Sequence, residues 1–237
     1  MITVYTMAFN EEVFLQFMIE HYRKRFPGCR IVVHDNESTD KTAEIARQNG
    51  CEVVLYCSDG QVNDEKLKAL KSNFWKDAQT DWVVVCDVDE LLEIDEKSLV
   101  FEQSQGTSIV STEGYTLVNM HDDFSFSEMK YGQRDSWYDK PCLFNRRLLR
   151  EINYQAGAHK CCPEGEVKWS EAKYRLYHYK YVNPDLQIKK NRYTLDRLSE
   201  VNKQHGWGAL QWRDVDDEQV RKMFSDLRSR ATRVVLP

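Results

Sequence analysis

Asp87-Val88-Asp89-Glu90 sets three carboxylates within four residues, directly behind the run Trp82-Val83-Val84-Val85-Cys86. Where a strand ends and the chain turns, two carboxylates separated by one residue can both approach one cation, directly or through water. Their hard oxygens suit Mg²⁺ or Mn²⁺. A short D-x-D pattern alone is a common solvated turn. Its position sets this one apart, because the apolar run before it reads as a strand buried on both faces. In open α/β sheets ligands bind just beyond the carboxyl ends of such strands.

The elements that must carry this edge alternate. Ile2 to Met7 is a β-rich run ending in Ala8-Phe9-Asn10-Glu11-Glu12, where Asn10 is expected to cap a helix whose apolar positions are Val13, Phe14, Phe17, Met18 and Tyr22. Arg30 to His34 is a second strand, and Ser38 or Thr39 is expected to cap a helix running to about Gly50. Glu52 to Tyr56 is a third strand, and Leu67, Leu70, Phe74 and Ala78 mark a helix leading into the Trp82 strand. This strand–helix alternation predicts an α/β fold with a mostly parallel sheet and right-handed crossovers. Later strands are expected over 107–120, 141–149 and 174–182, with a polar, aromatic stretch from His121 to Tyr138 between the first two and two closing helices. The organisation expected is one domain over 1–237, with a first half (1–100), a second half (101–185) and C-terminal helices (186–237).

The 237 residues are 41% hydrophobic and 30% charged, with a formal net charge of −5, which describes a globular chain with no bulk attraction to nucleic acid or anionic membrane. No apolar run approaches the roughly 18–20 residues that span a bilayer, and the first residues read as a strand rather than a signal peptide, so a cytoplasmic location without membrane insertion is expected. The seven cysteines include no C-x-x-C pair, so no disulfide framework or zinc ribbon is indicated. Cys51, Cys57 and Cys86 are expected to be small buried hydrophobes.

Three motifs together carry a resemblance: Thr6-Met7-Ala8-Phe9-Asn10-Glu11-Glu12 after the first strand, His34-Asp35-Asn36-Glu37-Ser38-Thr39-Asp40 after the second, and Asp87-Val88-Asp89-Glu90 after the fourth. The chain resembles GT-A fold glycosyltransferases, family-2-like, over roughly its first 95 residues. The resemblance implies a nucleoside-diphosphate sugar as donor, a saccharide or other hydroxyl as acceptor, and inversion at the transferred sugar. It further implies that Thr6, Ala8 and Asn10 line the nucleotide pocket and that Asp35 accepts hydrogen bonds from base or ribose. The residue-level alternative for Asp35 is that it caps its own turn. Asp87 and Asp89 would hold the cation at the diphosphate. A late histidine would complete the shell, with His178 expected, His159 as its rival, and Lys189 reaching the phosphates. Imidazole in an oxygen-rich shell favours Mn²⁺ over Mg²⁺.

An inverting transferase needs a base, and Asp122, Asp123, Asp135, Asp139, Glu164 and Glu166 offer carboxylates. Asp139 is the expected one, because it follows Trp137 and Tyr138, whose rings can stack on a sugar face. Two other classes compete. A haloacid-dehalogenase-like phosphatase also uses a D-x-D, but normally in the first strand and followed by Thr or Val where this chain has Leu91. A non-catalytic carbohydrate- or nucleotide-binding domain would keep the pocket without turnover.

Overall fold

The computed structural model describes residues 1–121, 125–208 and 213–235. Strands β1 (Ile2–Ala8), β2 (Arg30–Asp35), β3 (Glu52–Leu55) and β4 (Trp82–Asp87) pair in parallel in the order β3-β2-β1-β4. Helices α1 (Glu12–Arg25), α2 (Thr42–Gln48) and α3 (Asp64–Asn73) lie in the connections. Met7 pairs with Asp87 and Ala8 with Asp35, so the three sequence motifs leave the sheet from one edge. Val83 and Val84 are both fully buried, on opposite faces. Val84 shares a core with Val4 and with Leu15, Met18, Ile19 and Tyr22 of α1, whereas Val83 and Val85 join Tyr5, Trp75, Phe144 and Ile152. The unbroken apolar run of β4 follows from this two-sided burial.

Val88 and Asp89 then turn the chain into β5 (Glu90–Glu93), a separate strand that the sequence disguises, because Glu90-Leu91-Leu92 looks like the tail of the Trp82 run. After α4 (Glu96–Ser104), the expected 107–120 strand is β6 (Ile109–Val118), and the stretch without periodicity contains β7 (Tyr131–Arg134). The expected 141–149 strand is two, β8 (Leu143–Asn145) and β9 (Leu149–Glu151); β9 pairs with β10 (Glu164–Gly165). The expected 174–182 strand is longer, β11 (Trp169–Tyr181). Among the described residues three helices follow where two were expected: α5 (Pro184–Asp196), α6 (Glu200–His205) and α7 (Asp217–Arg230), before β12 (Thr232–Arg233). The fold is thus α/β, a central parallel sheet flanked by helices, to which the second half adds antiparallel pairs. β11 runs parallel to β6 and antiparallel to β5, setting His178 opposite Glu90. Among the described residues no helix is long and apolar enough to cross a membrane.

Two expected caps are displaced. Asn10 sits in the left-handed region, φ 54°, and its amide oxygen accepts from Thr39 N (2.8 Å) and Asp40 N (3.3 Å), binding the first motif to the second; Glu11 takes the N-cap position. Ser38 and Thr39 likewise leave the α2 N-cap to Lys41, and Ser38 Oγ accepts from Asn10 N instead. Asn and Ser satisfy backbone donors wherever the turn brings them, so the right chemistry appears at neighbouring positions. Cys57 is exposed, unlike Cys51 and Cys86, because β3 ends at Leu55 and Cys57 lies in the loop beyond it.

Gly114 of β6 runs against the turn Ser136–Tyr138, where an added Cβ would lie 2.4 Å from the Tyr138 carbonyl carbon. Gly114→Ala must push that turn away, which is expected to cost about 1–3 kcal/mol. Urea denaturation checks this, and unchanged stability would refute the close approach.

Candidate active site

A cleft of about 380 Å³ opens at the carboxyl edge between the turn after β4, the end of β11 and helix α5. Glu11, Asp87, Asp89 and Glu90 form its acidic floor, and lysines from distant elements answer them. Lys71 of α3 reaches Asp87 Oδ1 at 2.5 Å. Lys140 lies 3.0 Å from Asp87 Oδ2 and 2.5 Å from Glu90 Oε1. Lys190 of α5 bonds Glu11 at 2.7 Å and stands 3.5 Å from Asp89 Oδ2. Burial alone would raise both aspartates, but Lys71 and Lys140 outweigh it at Asp87, and Lys190 and His178 at Asp89, holding both carboxyls well below the usual range. Glu11 goes the other way: burial lifts it to about 7 against the pull of Lys190. Glu90 is also raised by burial, and its Oε2 is sealed without a partner.

His178 Nε2 stands 3.7 Å from Asp89 Oδ2, too far for a hydrogen bond, while its Nδ1 is buried without a partner. With metal–ligand distances of about 2 Å, one divalent cation could reach both atoms. Among the described residues no group of three His, Cys, Asp or Glu side chains converges on a metal position. A cation here would therefore draw further ligands from water or a bound phosphate, which is how Mg²⁺ is commonly held. Asp87 fits this role less well, since each of its oxygens is occupied by an ammonium group.

Further cavities adjoin the cleft, and two of them share chemically informative side chains with it. A nook of about 160 Å³ shares Met7 and Asp87 with it and is walled by Ala8, Phe9, Asn36, Tyr56 and Arg197. Arg197 lies over the Phe9 ring, 3.2 Å from its centroid, and donates to Asn36 Oδ1 at 2.7 Å. A cavity of about 290 Å³ shares Tyr138 and Lys180 with the cleft and includes Thr116, Gln133, Asp135 and Trp137.

Asp87, Asp89, His178 and His159 all line the cleft, and Ala8 lines the nook. Thr6 is buried in the sheet with Oγ1 unpartnered. Asn10 is committed to the Thr39 and Asp40 amides. Asp35 is 2% exposed and its carboxylate accepts from Ser38 N at 3.3 Å, the turn-capping role. Lys189 is exposed; the lysine that α5 turns into the cleft is Lys190. Helical spacing carries that signal, because Lys190 lies one turn beyond Leu186 on the face that continues to Thr194. Asp139 accepts from Gly114 N (2.7 Å) and Arg134 (2.6 Å), so it ties the 136–138 turn to β6 instead of facing the cleft. Asp135 accepts from Thr116 Oγ1 and Trp137 N. Glu164 pairs with Arg150 on the β9–β10 ribbon, and Glu166 is exposed nearby. Asp122 and Asp123 lie outside the described residues. Sequence reasoning missed Lys71, Lys140, Glu11 and Arg197, whose roles depend on contacts across 16 to 179 residues of chain.

Residues 3–112 match the family model for glycosyl transferase family 2. That stretch runs from β1 into β6 and contains all three strand-end motifs, so the family-2-like, GT-A glycosyltransferase resemblance holds across it. No curated protein matches the sequence. Among solved structures, TarS of S. aureus is similar at 16% identity and TM-score 0.46 over 97% of this chain, which spans only 43% of the TarS chain. Residues 1–349 of TarS in complex with UDP-GlcNAc give 17% identity and TM-score 0.43, covering 97% of this chain and 74% of that one. Glucosyl-3-phosphoglycerate synthase from Mycobacterium tuberculosis, with Mn²⁺, UDP and phosphoglyceric acid, gives 16% identity and TM-score 0.40 over 67% of this chain and 61% of that one.

Lys140 is 5% exposed and Glu90 2%. Lys140→Met leaves the Glu90 carboxylate buried and unpaired, a change expected to cost about 3–5 kcal/mol. Burial already holds Glu90 above its ordinary value, and losing Lys140 raises it further. The stability tied to its protonated form is then present at low pH and lost as pH rises through the raised value. The loss relative to wild type should therefore be larger at pH 8 than at pH 5. Urea denaturation at the two pH values checks the sign, and an equal loss at both would refute it.

Proposed function

We propose that this protein is a glycosyltransferase that moves a sugar from a nucleoside-diphosphate sugar to an acceptor hydroxyl, with inversion and with a divalent cation, Mn²⁺ or Mg²⁺, in the cleft. The observation that carries this reading is the run of three adjoining cavities at the carboxyl edge, with the Asp89–His178 pair and Lys71, Lys140 and Lys190 at its middle. The match of residues 3–112 to glycosyl transferase family 2 supports it and favours transfer over phosphate-ester hydrolysis.

The nook would take the nucleoside, with Phe9 and Tyr56 offering aromatic faces and Gln61 offering an amide group. The central cleft would take the diphosphate, the sugar and the reacting hydroxyl of the acceptor, and the cavity beyond Tyr138 the rest of the acceptor. When bound, the cation supplies Lewis-acid stabilisation of the negative charge that builds on the leaving diphosphate. Asp89 and His178 would hold it. Lys71, Lys140 and Lys190 add fixed positive charge around the same oxygens, already oriented by the carboxylates they touch. Tyr138, whose ring centroid is 4.0 Å from that of His178, separates the donor and acceptor spaces and helps exclude water from the transferring sugar.

Thermal shift with UDP-glucose, UDP-N-acetylglucosamine and GDP-mannose, each with and without Mn²⁺, tests the reading. A ligand at about 100 times its dissociation constant stabilises by roughly 2.7 kcal/mol. One sugar nucleotide is expected to raise the melting temperature only when Mn²⁺ is present, and Asp89→Ala and His178→Ala should each abolish that gain while remaining folded. A gain that survives Asp89→Ala would refute the cation site.

A further inference from the structure

An inverting transfer needs a proton acceptor, and the described carboxylates are poorly placed to serve. Asp135 and Asp139 spend both oxygens on Thr116, Trp137, Gly114 and Arg134. Both Glu11 oxygens lie on Lys190, and the free oxygen of Glu90 is sealed from the cleft. His159 is placed differently. Its Nδ1 lies 2.7 Å from the carbonyl oxygen of Trp137. A carbonyl can only accept, so Nδ1 carries the proton and Nε2 of the neutral ring presents a lone pair. Gly157, at φ 75°, lines the cleft beside that edge, where a Cβ would stand 3.0 Å from Nε2 and 2.7 Å from Cδ2. Only glycine leaves the edge open.

Resting on the transferase reading, we propose that His159 Nε2 is the base that takes the proton from the acceptor hydroxyl. The acceptor oxygen bonds to the anomeric carbon as the bond from that carbon to the diphosphate oxygen breaks. The electron pair leaves with the diphosphate, and the hydroxyl proton passes to Nε2. The imidazolium so formed lies beside Trp137, 4.5 Å between centroids, and meets Tyr138 edge-on at 5.5 Å. The charged groups facing the ring are Lys140 and Lys71, which disfavour protonation, and Asp87, which favours it. Burial first, then Lys140, lowers the ring to about 4, so it is neutral through the physiological range and as basic as an ordinary carboxylate.

Two measurements test the assignment. In long-range ¹H–¹⁵N spectra of the wild-type protein, the ring signal lost in His159→Gln should show a protonated Nδ1 and a bare Nε2 from pH 5.5 to 8; a proton on Nε2, or titration within that interval, overturns the proposal. Hydrolysis of UDP-glucose, UDP-N-acetylglucosamine and GDP-mannose with Mn²⁺, water serving as acceptor, should fall in His159→Gln by about 10²-fold or more, with donor-induced thermal shift retained. Wild-type hydrolysis that persists in His159→Gln to within about threefold, far short of the loss of a base, overturns the base alone. If the wild type neither binds nor hydrolyses any of the three, the transferase reading falls and takes the base with it.

Discussion

Four carboxylates gathered at one sheet edge repel one another and resist burial, and the structure depends on the three ammonium groups that answer them. Each lysine comes from a different place: Lys71 from a crossover helix, Lys140 from the segment after the 136–138 turn, and Lys190 from α5. A buried charge is tolerable only when paired and hydrogen-bonded, so these contacts fix where three otherwise independent segments must sit. The same pairing keeps Asp87 and Asp89 ionised.

The parallel half was legible because its signals are local. Apolar runs of strand length, helical spacing in between and polar motifs at the strand ends specify β1 to β4 without reference to the rest of the chain. Asp87, Asp89 and His178 line one cleft because each stands close to the end of a strand. β5 escaped because Glu90-Leu91-Leu92 continues an apolar run and only a two-residue turn divides it from β4. Lys190 lay hidden beside Lys189, and only the direction of α5 separates the two.

Asp35 and Asp139 show the other limit. Both are acidic residues in plausible places, and both accept from backbone amides of their own surroundings, Asp139 from the Arg134 guanidinium as well. Sequence records which groups can accept a hydrogen bond, but the fold decides whether a local donor claims them first. The lysines and His159 illustrate the converse: they become functional candidates through long-range neighbours, which no spacing rule encodes.

β11 sets the order in which the molecule can mature. It carries His178 and Lys180 and slots between β5 and β6, so neither side chain reaches the Asp89 turn until residues about 80 to 90 positions apart have paired. Parallel pairing of β11 with β6 requires closing a loop of some 60 residues, a slow kind of step. During synthesis the parallel half can therefore form while the cleft is still open and incomplete. The histidine meets its carboxylate only when the sheet closes, so an emerging chain holds no assembled centre until its second half has docked.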